Sequence, residues 1–362
     1  MRRFFLTILC CITCLAASMA ANAREITVTY PSIDQYGDSI TLSGMICIPD
    51  SKPKGVILIP HYTIMSKYEA PSIKPTGEAF FFKDDYILVM PDYIGFGVTE
   101  ELDHPYLAGE LTARNCIDML AILSQTPEAM NSGIALDSIY IVGYSQGGAS
   151  AMWILKVLEE EYADRYHVKA CFAGGGPYDV AVTYDDALTK KKVFAPVVVP
   201  LMVVGTDAAY DLHIRREDFF TPAMQEIYDT YVSSKEYSAA QLFFKFRNHH
   251  IDHWMSDLAM DPSQPDMQRK YEGLKRSRLV RYPLNERIAD QEVICTNWRP
   301  KAPLYVFHST KDNVVTIRCA EHLRQCLGEA ENITYDFKNY GSHTHASKWH
   351  FFPNVQKMLK KM

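Results

Sequence analysis

Hydrophobic and polar residues alternate at the start of the chain and then give way to apolar blocks. The segments Glu25–Tyr30 and Ile40–Ile48 alternate and are joined through Asp34-Gln35-Tyr36-Gly37-Asp38, which predicts an antiparallel hairpin. The following runs, Val56–Ile59, Tyr86–Met90, Ile139–Val142 and Val168–Ala173, are short and nearly continuous in apolarity. Strands of that kind are covered on both faces, so they belong to the middle of a parallel sheet flanked by helices. Helical periodicity fills the gaps, over Leu107–Leu123 and Gln146–Tyr162. The alternation stops between about Gly176 and Pro300, a Tyr-rich stretch with helical patterns at Met224–Val232 and Ser238–Phe246. Charged clusters lie at Arg215–Asp218 and Lys275–Arg278 in the same stretch. It reads as an inserted helical cap. The sheet pattern resumes with Leu304–His308, a helix from about Thr316 to Leu327, a strand Ile333–Phe337 and a closing helix from about Lys348. Pattern alone predicts an α/β sheet with an antiparallel N-terminal edge.

One of the apolar strands runs directly into Gly143-Tyr144-Ser145-Gln146-Gly147, a G-x-S-x-G sequence between a strand and a helix. Such a turn holds a serine clear of the sheet, and both glycines must be small because strand and helix atoms close in on them. A Gly-rich turn with a surface serine is the blander reading, and the strand before and helix after argue against it.

A serine hydroxyl is a weak nucleophile at neutral pH and needs a base, held in turn by a carboxylate. Asp312 follows the strand Leu304–His308 and would sit in a loop at the sheet edge that carries Ser145; it could also cap the next helix, as Asp often does. Two histidines, His343 and His345, follow the last strand. With Ser347 taken as the cap of the closing helix, His345 would stand just ahead of that helix, so His345 is the preferred base and His343 the alternative. Pro200–Asp207 offers a competing strand-then-aspartate pattern, followed by His249, His250 and His253. Choosing Asp207 would leave the last two strands without a role. Donors for the developing oxyanion should be the Gln146 amide and an amide in the loop Pro60-His61-Tyr62-Thr63, from either Tyr62 or Thr63. His61 itself reads as a strand-end residue, not a base.

Composition narrows the setting. Met1–Ala23 has Arg2-Arg3, an apolar core Phe4–Ala17 and a small-residue end at Ala21-Asn22-Ala23, which predicts a cleaved secretory leader and a domain spanning 24–362. The apolar core is short of the roughly 20 residues of a spanning helix, so no stable membrane anchor is expected. Removing the leader takes away two arginines and no acid, moving the net charge from −6 to −8. The acidic net charge disfavours nucleic acid as a partner. Of nine cysteines, Cys47, Cys116, Cys171, Cys295, Cys319 and Cys326 follow the leader, and most sit in apolar patterns that suit buried thiols. No C-x-x-C or H-E-x-x-H occurs, so neither a metal nor a cofactor is expected. Oligomeric state is not legible.

Together with the elbow, Pro91-Asp-Tyr-Ile-Gly-Phe-Gly97 after a strand and His104-Pro-Tyr106 before a helix make the chain resemble the α/β-hydrolase superfamily, and within it exported serine esterases related to the secretory lipases. The resemblance covers nearly the whole chain after the leader, with the insertion matched least. It implies an α/β-hydrolase fold and cleavage of a small or lipid-like carboxylic ester through an acyl-enzyme, with Ser145, Asp312 and His345 as nucleophile, acid and base. Tyr62 departs from the family's usual glycine in the oxyanion loop. A serine peptidase of the same fold and a non-catalytic binding protein on a hydrolase scaffold are the alternative readings. The Tyr and Phe residues of the insertion would supply apolar walls for the substrate, or form a small core of the cap itself.

Overall fold

The computed structural model describes residues 23–190, 193–247, 249–256 and 298–362. The expected leader, except Ala23, lies outside these residues, as do Cys295 and positions 257–297 of the insertion. Eight strands form one mixed sheet: β1 (Ala23–Ile33), β2 (Ser39–Pro49), β3 (Val56–Leu58), β4 (Ile87–Pro91), β5 (Ser138–Tyr144), β6 (His167–Gly174), β7 (Leu304–Ser309) and β8 (Ile333–Lys338). They are ordered β1-β2-β4-β3-β5-β6-β7-β8. The alternating segments make the antiparallel edge, β1 with β2 and β2 with β4, and every later pairing is parallel. This is the expected α/β-hydrolase architecture.

Apolar continuity in the central strands has its cause in burial on both faces. Val56, Leu58, Ile139 and Ile141 pack into a core under α1 (Gly109–Leu120) and α3 (Gln146–Glu161), while a second layer gathers Ile57, Ile59, Val142 and Phe172 on the other side. A short helix, α2 (Pro127–Met130), lies between α1 and β5. Cys47, Cys116, Cys171 and Cys319 are buried free thiols, in line with their apolar surroundings, and Cys326 is half-buried.

Between β6 and β7 the described residues fold as α4 (Val180–Lys190), α5 (Val198–Tyr210), α6 (Arg216–Phe219), α7 (Pro222–Ile227) and α8 (Ala239–Phe246). Their apolar faces build a core of their own, with Phe219, Phe220, Tyr228, Phe246 and Trp254 buried against Met65, Tyr106 and Leu107 of the sheet domain. The run Pro200–Asp207, strand-like in sequence, is part of helix α5. An all-round apolar segment is ambiguous between a buried strand and a buried helix, and length decides: its 13 residues suit a helix.

One lysine ties this layer to the sheet domain. Lys235 Nζ donates to the carbonyls of Gly95 (2.7 Å), Glu100 (2.6 Å) and Leu102 (2.5 Å) in the loop after β4. Burial pushes its ammonium below the usual lysine range, though nearby acids, Asp103 foremost, oppose the shift. Lys235→Met removes the charge-assisted donors and leaves three carbonyls competing for water. The expected loss is about 1.5–3 kcal/mol, seen as a lower thermal midpoint and faster proteolysis within residues 216–246. An unchanged midpoint and cleavage pattern would show that the insertion is held elsewhere.

Candidate active site

All the expected site segments emerge at the carboxyl ends of parallel strands, where α/β sheets place their ligands. Ser145 sits between β5 and α3 with φ 59° and ψ −125°, a strained conformation for a residue with a Cβ. It is the half-buried member of an otherwise buried run from Ile141 to Ser150. The flanking glycines are sterically required. A Cβ on Gly143 would lie 2.0 Å from the Gly147 carbonyl oxygen, and one on Gly147 would lie 2.1 Å from the Pro60 carbonyl oxygen. The second contact also shows that the loop after β3 lies against the first turn of α3, beside Gln146.

Asp312 projects from the loop after β7 with its side chain fully buried. Its Oδ1 accepts the amides of Val314 and Val315 at 2.9 Å, which locks a tight turn. Oδ2 is 2.6 Å from Nδ1 of His343. Thr316, not Asp312, occupies the cap position of the following helix, α9 (Ile317–Leu327). Burial is the largest single influence on the Asp312 carboxyl and pushes it upward, but His343, His308 and the Val314 amide together outweigh it, so the group titrates below its usual 3.8.

The preferred base, His345, is not the histidine that meets the acid. The closing helical segment begins earlier than its sequence pattern predicts: α10 (His343–Ala346) starts after Ser342 and continues through a wide turn at Ser347–Phe351 into α11 (Phe352–Leu359). Ser347 lies inside this segment, and the cap position falls to Ser342. His343 is therefore the first helical residue, its amide held by Asn313 Oδ1 at 3.1 Å. Two residues of helix turn a side chain by about 200°, and His345 is exposed on the far side, near Trp349 and His350. Tyr144, the residue before Ser145, fixes the placement from below. Its hydroxyl donates to the His343 carbonyl at 2.9 Å, and the two rings lie 4.9 Å apart. An imidazole whose Nδ1–H goes to a buried carboxylate keeps Nε2 as a lone-pair base.

Asp207, on α5, accepts the Ile214 amide at 3.0 Å and closes the helix end. His249 bonds the Phe246 carbonyl, and His250 stacks on His253. None of these meets Asp312 or the elbow in any contact described. Among the described residues no cluster of side chains could hold a metal ion.

The loop after β3, Pro60–Thr63, from which an oxyanion donor is expected, is held on several sides. His61 is fully buried, stacked on Tyr93, with Nδ1 2.6 Å from the Tyr62 carbonyl and Nε2 3.1 Å from the Asp92 carbonyl. It is a loop strut, as its position in the sequence predicts. The Tyr62 amide donates to Glu78 Oε1 at 3.2 Å, so one of the two candidate donor amides already has a partner. The Thr63 hydroxyl pairs with Tyr106 at 2.9 Å.

The residues 63–352 match the family model of the secretory lipases. The chain belongs to the secretory lipase family. It shares that family's carboxylic-ester hydrolase class, and its fold recurs in solved hydrolases. A hydrolase of Legionella pneumophila, described as putative, is 19% identical over 94% of this chain and 88% of its own, with a TM-score of 0.78. The rice cell wall degrading esterase LipA from Xanthomonas oryzae is also 19% identical, over 95% and 91%, at 0.77. Candida antarctica lipase A in its closed state is 16% identical over 94% and 79%, at 0.66. No curated protein matches the chain.

Three residues of this secretory lipase were not legible as site residues. His104 accepts the Gln146 side-chain amide at Nε2 (2.8 Å) while its Nδ1–H goes to the Ile94 carbonyl (2.8 Å); burial pushes it down to about 3, so it stays a neutral strut under the residue after Ser145. His308 is fully buried, with Nε2 3.2 Å from the Val315 carbonyl and 3.9 Å from Asp312 Oδ2. Glu78 is buried, and the apolar stretch Ala79-Phe80-Phe81-Phe82 follows it in sequence. A lone acid ahead of such a run was the one sequence signal available. A cleft of about 310 Å³ opens between α4, α5 and the Asp312 loop, lined in part by Thr183, Val198, Met202 and Asn313.

Proposed function

We propose that this chain is an exported serine esterase that hydrolyses small or lipid-like carboxylic esters through an acyl-enzyme. The Asp312–His343 pair beside the strained Ser145 elbow carries the reading. Ser145 Oγ attacks the ester carbonyl as His343 Nε2 takes its proton, and Asp312 holds the imidazole and stabilises the cation that forms. The Gln146 and Thr63 amides receive the oxyanion. Collapse of the tetrahedral adduct expels the alcohol, which takes the proton from His343. Water then attacks the acyl group with His343 again as base, and releases the carboxylic acid. No cofactor enters this sequence. The N-terminal Arg2-Arg3, apolar core and Ala21-Asn22-Ala23 end support export, and no helix among the described residues is long and apolar enough to cross a membrane.

The segment between β6 and β7 covers the site and sets substrate choice in this reading. Phe219 and Phe220, about 2% and 3% exposed, are committed to the core of that segment, so the cleft walled by Val198 and Met202 is the better acyl pocket. A fluorophosphonate should label the enzyme at Ser145, and p-nitrophenyl esters of increasing acyl length should give a definite order of kcat/KM. Filling the cleft with Val198→Trp should shift the preferred acyl chain to a shorter one while labelling persists. An unaltered order in a folded variant would place the acyl group elsewhere, and absence of labelling would overturn the serine mechanism.

A further inference from the structure

Glu78 belongs to no part of the proposed triad, yet it occupies one of the two candidate donor amides of the loop after β3. It sits on a single turn, Gly77–Phe81, about 1% exposed, with Oε1 accepting from the Tyr62 amide at 3.2 Å and Oε2 buried without a hydrogen-bond partner among the described residues. The peptide unit between His61 and Tyr62 is gripped at both ends, since the Tyr93 hydroxyl donates to the His61 carbonyl at 3.3 Å. The next unit is gripped by its oxygen, through His61 Nδ1 on the Tyr62 carbonyl at 2.6 Å. A trans peptide points its N–H opposite to its carbonyl. Holding the Tyr62 carbonyl toward His61 therefore aims the Thr63 N–H the other way. The Tyr62 ring packs with Ile64, Ala70 and Phe96, which secures the same stretch from the side.

Burying a carboxyl group carries a large desolvation cost, and here burial pushes its pKa up to about 7. Hydrogen bonding to Thr76 and to backbone amides, Tyr62 included, opposes that rise. A tyrosine in place of the usual glycine brings a bulky ring that must be turned away. From this we infer that Glu78 is a positioning residue: its bond to the Tyr62 amide withdraws that donor and presents the Thr63 amide, with that of Gln146, to the oxyanion. The inference rests on the serine-esterase reading above and adds a residue to it.

Three variants test it, each measured per active site by fluorophosphonate titration. Glu78→Ala frees the Tyr62 amide; kcat should fall about 10- to 100-fold, less than complete removal of an oxyanion donor, with KM changed under about threefold. Affinity for an alkylboronic acid, which mimics the tetrahedral adduct, should fall in parallel with kcat. Glu78→Gln keeps an acceptor oxygen in place and should restore kcat to within about fivefold of the parent, whereas Glu78→Asp, one methylene short, should fall between Ala and Gln. If the alanine variant does not fold, the Gln and Asp pair decides by the same ordering. A merely structural role would lower the titratable fraction and leave kcat per site and boronate affinity alone, and that result overturns the proposal. Equal kcat losses in Gln and Ala, or in Gln and Asp, would overturn it as well. Failure of the underlying reading looks different, because then the parent enzyme itself would not label at Ser145.

Discussion

Ser145→Ala is expected to abolish ester hydrolysis, with kcat falling by a factor on the order of 10⁶ as in other serine hydrolases stripped of their nucleophile. The hydroxyl supplies the bond to the acyl group, and no other side chain of the elbow can replace it. Folding should survive, because Ser145 is only half-buried and its removal opens no core cavity. A companion substitution separates chemistry from architecture. At φ 59° and ψ −125° the residue stores strain of about 1–3 kcal/mol, which Ser145→Gly relieves, less about 0.4–1 kcal/mol for the looser unfolded chain. The glycine variant should therefore be inactive and melt above the alanine variant. Turnover in a folded alanine variant would remove Ser145 from the mechanism, while equal melting of the two would show that the strain does not exceed the cost of the looser glycine chain.

His343→Ala should cost nearly as much activity as loss of the nucleophile, since the two act as a unit, and His345→Ala should change kcat by less than about threefold. Asp312→Asn should lower kcat by about 10³–10⁴ through the wrong imidazole tautomer, whereas Asp207→Asn touches only the end of α5. Asp312 also has a stability signature. Its folded-state pKa lies below its usual 3.8, so its contribution to stability is present above that pH and fades as pH drops through the lower, folded value. The parent should lose this increment only in strong acid, and the asparagine variant should lack it at neutral pH. Steady-state kinetics with one activated ester and acid titration of the fold check both parts. A larger loss at His345 than at His343 would move the base.

Local chemistry along the chain determined a good deal of this protein. Short continuous apolar runs bounded by turn residues suit strands covered on both faces, and β3 to β6 are such strands. The glycines of Gly143-Tyr-Ser-Gln-Gly147 answer to contacts of about 2 Å, a requirement short-range enough to show as a motif. Asp312 was legible because a polar loop after an apolar strand must end at the sheet's carboxyl edge. What misled or stayed open were choices that depend on angle and on distant partners. Pro200–Asp207 reads equally as strand or helix until the layer it packs into is known. His343 and His345 differ by two positions in sequence but by about 200° around a helix, and the start of that helix is set by Asn313, thirty residues away, taking its first amide. Tyr62 and Thr63 are neighbours with identical amides, and a carboxylate from a separate turn, Glu78, occupies one of them. The sequence by itself determined the sheet, the strained serine and the acid's edge of the sheet, because steric fit and burial act over a few residues. Only the tertiary structure decided which histidine faces Asp312 and which amide is left open beside Gln146, because hydrogen-bond direction depends on groups the chain brings together only once it has folded.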